Sequence, residues 1–191
     1  MTVHTLLGLA VVAALALQRL AELWLARRPL QRSRAGTGAV LEPEPIYPLM
    51  VALHAAWLVG CLVEPLLWPR LPLPALAWLA LVLWLAALAL RMWTLRTLGR
   101  YWHVRVVRRS VQPVVTGGPY RWIRHPNYLA VILEIAAVPL LLGAYGTALL
   151  ASGVNAAVLA VRIRREEAYL LSLPAYRAAF ARKARFLPGV F

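Results

Sequence analysis

The sequence predicts an all-α integral membrane protein: five transmembrane helices, a cytoplasmic cofactor-binding region and a C-terminal helical tail. Three observations carry this. Apolar residues make up 62% of the chain and mean hydropathy is +0.68, well above a soluble globule, whose apolar fraction is nearer half. These residues fall in blocks long enough to cross a bilayer at about 1.5 Å of rise per residue. The net charge is +14, and its arginines crowd into particular loops. Such charge suggests nucleic acid in a soluble protein. Between apolar blocks it reads as membrane orientation, and no nucleic-acid partner is expected. At 191 residues the chain is one domain, 1–191.

Val3 to Leu25 is the first span. Arg19 and Glu22 sit on one of its faces at i,i+3 spacing, which predicts a pair turned toward the bundle interior. Trp24, Arg27 and Arg28 mark its exit, and Pro29 to Pro45 is a polar linker. Ile46 to Trp68 is the second span, with His54 read as a hydrogen-bonded packing histidine and Glu64 as reaching water. After a turn at Pro69 to Pro72, Leu73 to Leu95 is the third span, and Arg91 is expected to snorkel to the interface. Arg96 to Asn127 is the longest polar stretch. The apolar runs Tyr128 to Leu142 and Thr147 to Ile163 form a tight hairpin around Gly143 to Gly146. Ala148, Ala151, Ser152, Gly153, Ala156, Ala157 and Ala160 predict a close-packing face on its second arm. The helix then continues as RIRREEAYLL until Pro174 interrupts it. Cys61 is read as packing. The chain has no Asp and no His/Cys/Glu cluster at ligand spacing, so no metal site is expected.

The stretch Gly117 to Tyr128, GGPYRWIRHPNY, stands out between these blocks. Gly117-Gly118-Pro119 is turn chemistry. Pro126 pushes His125 out of the helical region and opens the next helix. The turn therefore delivers Arg124, His125, Asn127 and Tyr128 to a helix N-terminus, a place suited to an anionic group. At the far end of the hairpin, Arg162 and Glu166 share a helix face at i,i+4 spacing. An acid beside Tyr120, Trp122 and Tyr128 suits a nucleoside, since a carboxylate accepts two hydrogen bonds from ribose hydroxyls. The alternative at this point is a positive lip that binds lipid head groups.

GPYRWIRHPNY resembles the G-x-Y-x-x-x-R-H-P-x-Y motif of the isoprenylcysteine carboxyl methyltransferases and their bacterial relatives. R-I-x-x-E-E-x-x-L, at Arg162, Ile163, Glu166, Glu167 and Leu170, is similar to that family's C-terminal motif. The resemblance implies an S-adenosyl-L-methionine site built from residues 100–128 and 162–191. Gln112, Pro113, Val114 and Val115 would line it, and Tyr120 would pack on the cofactor. Arg124, His125, Pro126, Asn127 and Tyr128 would hold its polar end, and Glu166 its adenosine. Arg162 would be the catalytic, substrate-side arginine. Gln112 stands where the animal enzymes have a histidine. The tail has Leu173-Pro174 and Ala179-Phe180 in place of their Phe-Gly and second tyrosine. The implied activity is methylation of an anionic oxygen on a lipophilic acceptor drawn from the bilayer, prenylcysteine-like or a long-chain polyketide. Rival readings are a phospholipid N-methyltransferase, a sterol-reductase-like NADPH enzyme and a non-enzymatic lipid-binding protein.

The cations lie in the Pro29 linker, the Arg96–Asn127 stretch and the tail, whereas the turns at Pro69 and Gly143 are nearly free of them. The positive-inside rule places the N-terminus outside and the C-terminus in the cytoplasm, in a bacterial inner membrane. A cysteine placed at Thr2 should then react with a membrane-impermeant maleimide on intact cells, and one at Gly189 should not. The reverse labelling pattern refutes this orientation.

Overall fold

Prolines at the edges of the apolar blocks start most of the helices. The computed structural model describes residues 10–22, 24, 40–41, 45–102, 107–108 and 114–187. Residues 10–22 are helical (α1). They are followed by α2 (Tyr47–Leu67), α3 (Pro74–Leu98), α4 (Pro126–Leu141), α5 (Tyr145–Leu170) and α6 (Pro174–Phe180). Helices α2, α3, α4 and α6 carry Pro in their first turn, where a missing N–H costs nothing. Helices α2, α3 and α5 are long and apolar enough to cross a membrane, and α4 is a shorter apolar helix. The protein is a helical integral membrane protein. Its described non-helical pairing includes a two-residue antiparallel ladder, in which β1 (Val40–Leu41) from the polar linker meets β2 (Val107–Arg108).

The two short turns meet at one end of the bundle. The backbone N–H of Leu73, in the α2–α3 turn, donates to the Tyr145 hydroxyl at 3.1 Å. Gly143, in the α4–α5 turn, has φ +74, and a Cβ there would meet the Arg70 carbonyl oxygen at 2.6 Å. Only glycine accommodates both that conformation and that approach. Glu64 is held here rather than simply reaching water. It accepts from the N–H groups of Gly146 and Thr147 at 2.9 and 2.7 Å, and from the Thr147 hydroxyl. A carboxylate from α2 thus caps the N-terminus of α5, where orphan N–H groups and the helix dipole favour negative charge.

The buried faces of α3 and α4 form the central seam. Ala80 and Ala87 on α3 and Ala130 and Ala137 on α4 are all essentially buried. Small side chains let the backbones approach, as in membrane helix pairs generally. The close-packing face expected on α5 is different. Ala148 and Ala151 are buried there, but Gly153, Ala156, Ala157 and Ala160 are exposed. The buried stripe of α5 runs instead through Asn155, Val158, Leu159, Arg162, Ile163 and Glu167. Pro139 inside α4 has no N–H to offer the Ile135 carbonyl one turn back. The Trp57 indole on α2 supplies the donor at 3.2 Å. His54, as expected, is a packing histidine: its Nδ1 lies 2.8 Å from the Met50 carbonyl and its ring stands edge-on to Trp57.

Four charges gather at the seam, three of them buried and Arg19 partly so. Arg19 pairs with Glu22 at 2.9 Å, as its spacing predicts. Arg91 does not snorkel: it is 2% exposed and bonds Glu22 at 3.2 Å and Glu134 at 2.5 Å. Arg19 also reaches Glu134. Two cations and two carboxylates from α1, α3 and α4 therefore make a neutral cluster, which is how charge is tolerated away from water. The expected consequence is asymmetric. Glu134→Leu alone leaves two guanidinium groups sharing one carboxylate and should cost about 3–5 kcal/mol, the usual effect of breaking a buried pair from one side. Arg91→Leu with Glu134→Leu keeps the balance and should melt well above the single variant in detergent. A double variant no better than Glu134→Leu refutes this.

Candidate active site

The site lies at the other end of the bundle and begins with a glycine. Gly118 has φ +55, and a Cβ there would stand 2.2 Å from Thr97 Oγ1, itself tied to the Trp93 carbonyl at 2.8 Å. Gly118 therefore lets a short 3-10 helix, Gly118–Arg121, lie against the end of α3. Beyond it His125 adopts φ −125 and ψ 58, outside the helical region as a residue before proline must be. Pro126 then starts α4.

Arg124 and His125 turn to a carboxylate of their own chain. Glu167, buried on α5, receives His125 Nε2 at 3.0 Å and lies 3.2 Å from Arg124 Nη1. Arg185 in the tail closes on the same group, with Nη2 to Oε2 at 2.7 Å and Nε near both oxygens. This bond holds the Arg185 guanidinium above its ordinary pKa. The tail also lies along the turn. The N–H groups of Arg124 and His125 donate to the carbonyls of Ala184 and Arg185 at 2.9 and 3.1 Å. Lys183 Nζ donates to the Tyr120 carbonyl at 2.6 Å and sits 4.3 Å from the centre of the Phe180 ring.

Glu166 is the neighbouring carboxylate, 100° round the helix, and it faces a different environment. It accepts from the Tyr128 hydroxyl at 2.5 Å. Burial, with the Glu166 charge adding to it, holds the Tyr120 and Tyr176 hydroxyls well above the usual phenol range, so both stay neutral. Tyr176 stacks on Phe180 at 4.5 Å and Tyr120 meets Phe180 edge-on at 6.4 Å. Tyr128 stacks on His125 at 5.3 Å, and the buried Arg162 guanidinium lies over the Tyr128 ring at 5.5 Å. Arg162 Nη1 also touches the Met50 thioether on α2 at 2.6 Å. Among the described residues, Arg124 Nε and Asn127 Oδ1 are buried with no hydrogen-bond partner.

The structure therefore brings Tyr120, Arg124, His125, Pro126, Asn127, Tyr128, Arg162 and Glu166 to one end of the α4–α5 hairpin. Val114 and Val115 lie half-buried just before the turn. Gln112 and Pro113 fall outside the described residues. Sequence reasoning missed the part played by Glu167 and its partner Arg185, the contact with Met50, and Tyr176 as a further aromatic wall.

The bundle, with its one polar, aromatic-walled end, is the membrane-embedded scaffold of a methyltransferase family. Residues 78–172 match the isoprenylcysteine carboxyl methyltransferase (ICMT) family. The uncharacterized protein YpbQ of Bacillus subtilis (strain 168) is 38% identical over 157 residues, which is 82% of this chain and 92% of that protein. The chain belongs to the ICMT family. The matched residues take in the α3–α4 seam, the turn and the Glu166–Glu167 pair.

The two adjacent carboxylates should separate in experiment. Glu167→Ala strands the Arg124 and Arg185 guanidinium groups and the buried His125 ring, and removes charge-assisted bonds worth about 1.5–3 kcal/mol each before screening at the half-exposed Arg185. Its thermal midpoint in detergent should fall by several degrees, at roughly 2–4 °C per kcal/mol for a chain of this size. Glu166→Ala should melt within a degree or two of the parent. Equal losses in both variants contradict the division of labour.

Proposed function

We propose that this protein is an S-adenosyl-L-methionine-dependent O-methyltransferase with five membrane spans, acting on a lipophilic acceptor that carries a carboxylate or an acidic enol. The observation that carries the reading is Glu166. This carboxylate, at the polar end of two membrane helices, accepts from the Tyr128 hydroxyl, its charge acts on the Tyr120 and Tyr176 hydroxyls, and a buried arginine stands one helical turn away.

The residues present fit the cofactor. Glu166 would accept from two ribose hydroxyls, and the tyrosine rings would give an adenine a flat apolar wall. Asn127 Oδ1 is a buried acceptor and Arg124 Nε a buried donor, each lacking a partner. An ammonium and a carboxylate on one ligand tail would satisfy both, which otherwise carry the cost of buried unpaired polar atoms. The cofactor would supply an electrophilic methyl group on a sulfonium. The chain then needs to hold a nucleophile in line with that methyl. A carboxylate is already ionised at pH 7, as is an acidic enol, so no general base is needed. That agrees with His125, whose Nε2 is committed to Glu167. Arg162 would orient the acceptor oxygen without moving a proton. The acceptor's apolar part would stay among the lipid-facing side chains of the helices, prenylcysteine-like or long-chain polyketide in character. The orientation argued from the loop arginines puts this end of the bundle at the cytoplasmic face of a bacterial inner membrane.

Cofactor and acceptor roles are separable. Glu166→Ala should weaken S-adenosylhomocysteine binding about tenfold or more, since it loses charge-assisted hydrogen bonds. Arg162→Ala should bind the same ligand within a few fold yet lose most single-turnover methylation of a lipid extract. Arg162→Lys should recover part of that loss, keeping the charge but not the planar fork. Calorimetry and labelled-methyl transfer on the same purified variants decide it. Normal cofactor binding in Glu166→Ala would defeat the assignment.

A further inference from the structure

Ile123, His125 and Glu167 lie at the polar mouth of the bundle, yet each is no more than 6% exposed. What covers them is the tail. Ile123 forms a parallel bridge with Ala184. The two amides in front of Pro126, those of Arg124 and His125, are satisfied by carbonyls of the tail rather than by a helix. Phe186 faces the His125 ring at 6.4 Å. The segment 183–186 is thus a strap laid across the turn that carries His125, Asn127 and Tyr128.

The strap is lightly fastened compared with the helices beneath it. Besides the two backbone bonds, its side-chain fastenings are the Lys183 bond to the Tyr120 carbonyl and the Arg185–Glu167 pair, and the Arg185 side chain is 49% exposed. Arg182 and Leu187 on either side are exposed as well. Ala184 is the buried apolar contact of the segment. Few buried apolar contacts and a half-exposed ion pair mark the parts of a fold that open at low free-energy cost. The helical hairpin beneath has the opposite character, with Ala130, Ile135 and Val138 wholly buried.

We infer that the strap 183–186, latched by Arg185 on Glu167, is the cover of the cofactor site, and that it must lift for cofactor exchange. The inference rests on the methyltransferase reading and adds a route to it. The apolar sides of the site face α2 and the membrane, which a charged nucleoside does not cross. The strap side faces the polar end of the bundle and is held by contacts that break one at a time. Glu167 makes the arrangement double-acting. With the strap down, its carboxylate satisfies Arg185, Arg124 and His125 together. With the strap up it keeps Arg124 and His125, so the turn retains its shape while the site opens.

Two readouts test this, one independent of any ligand. In Arg185→Ala, hydrogen exchange at the Arg124 and His125 amides should speed up about tenfold, while amides in the middle of α4 stay unchanged. The dissociation rate of S-adenosylhomocysteine, measured by stopped flow in nanodiscs, should rise by a similar factor. Single-turnover methylation with the donor already bound should change less than threefold. Arg185→Lys should fall between, because it keeps the charge and loses the fork. In the parent, raising salt from 50 to 500 mM should accelerate both exchange and dissociation, as screening weakens an exposed pair. Lys183→Ala, which removes the bond to the Tyr120 carbonyl, is the second variant should Arg185→Ala fold poorly, and it should move both rates the same way. Unchanged amide exchange overturns the latch. Faster amide exchange with unchanged ligand dissociation overturns the strap as the cover. If the parent binds no S-adenosylhomocysteine, the methyltransferase reading and the gating role fail together, and the amide readout still reports whether the latch holds the strap.

Discussion

The arrangement at the active end turns on one carboxylate. Glu167 is buried on α5 and faces three cationic or potentially cationic groups drawn from two distant parts of the chain. A buried anion in that position has to be matched, since unmatched charge away from water costs several kcal/mol. Matching it fixes the turn before α4 and the strap after α6 at once. It also explains why two consecutive glutamates have different fates. Successive helix positions point 100° apart, so Glu167 faces the turn and tail while Glu166 faces the tyrosines. Glu166 is bonded to the Tyr128 hydroxyl, while its neighbour Glu167 pairs with Arg124 and Arg185.

The membrane sets the terms for the rest of the bundle. Each departure from an unbroken apolar helix carries its own compensation. The carbonyl left by Pro139 is met by Trp57. The N-terminus of α5 is met by Glu64. The charges of α1, α3 and α4 meet one another. In lipid a backbone or side-chain polar group has no water to turn to, so the compensating group must come from a neighbouring helix. These cross-helix contacts therefore tie α2 to α4, α2 to α5, and α1 to the central seam. They tie the hairpin to its neighbours from its middle to its far end, and the candidate site lies at its near end.

How much was legible follows from sequence distance. Features decided within a few residues could be read: the helix opened by Pro126, the turn at Gly143, the Arg162–Glu166 face, and the Arg19–Glu22 pair. Features decided across the bundle could not. Arg91 looked like a terminal residue free to snorkel, because nothing near it in sequence is acidic. Its partners are 43 and 69 residues away. Glu134 stood alone in an apolar run for the same reason. The small residues of α5 were visible as a set, but which of them face a neighbour depends on the angle at which α5 meets α2 and α4. Arg185 lies in a basic, aromatic tail with no acid near it in sequence, and only the folded tail shows which carboxylate it serves.

The extent of the family match gives this division a functional meaning. Residues 78–172 cover most of α3, the turn, α4 and α5, hence Tyr120, His125, Tyr128, Arg162 and Glu166. Met50, which touches Arg162, lies before that region, and Tyr176 and Arg185 lie after it. The matched region thus contains Glu166, Tyr128 and Arg162, the groups on which the proposed donor and acceptor roles rest. The parts outside the match reach the same site from two sides: α2 beside the arginine, and the tail across the turn. A methyl donor common to a family demands a constant pocket, while different acceptors demand different walls. On the proposed methyltransferase reading, the donor site would lie in the hairpin and its turn, and acceptor preference in the walls outside the match, the tail and α2, whose Met50 touches Arg162.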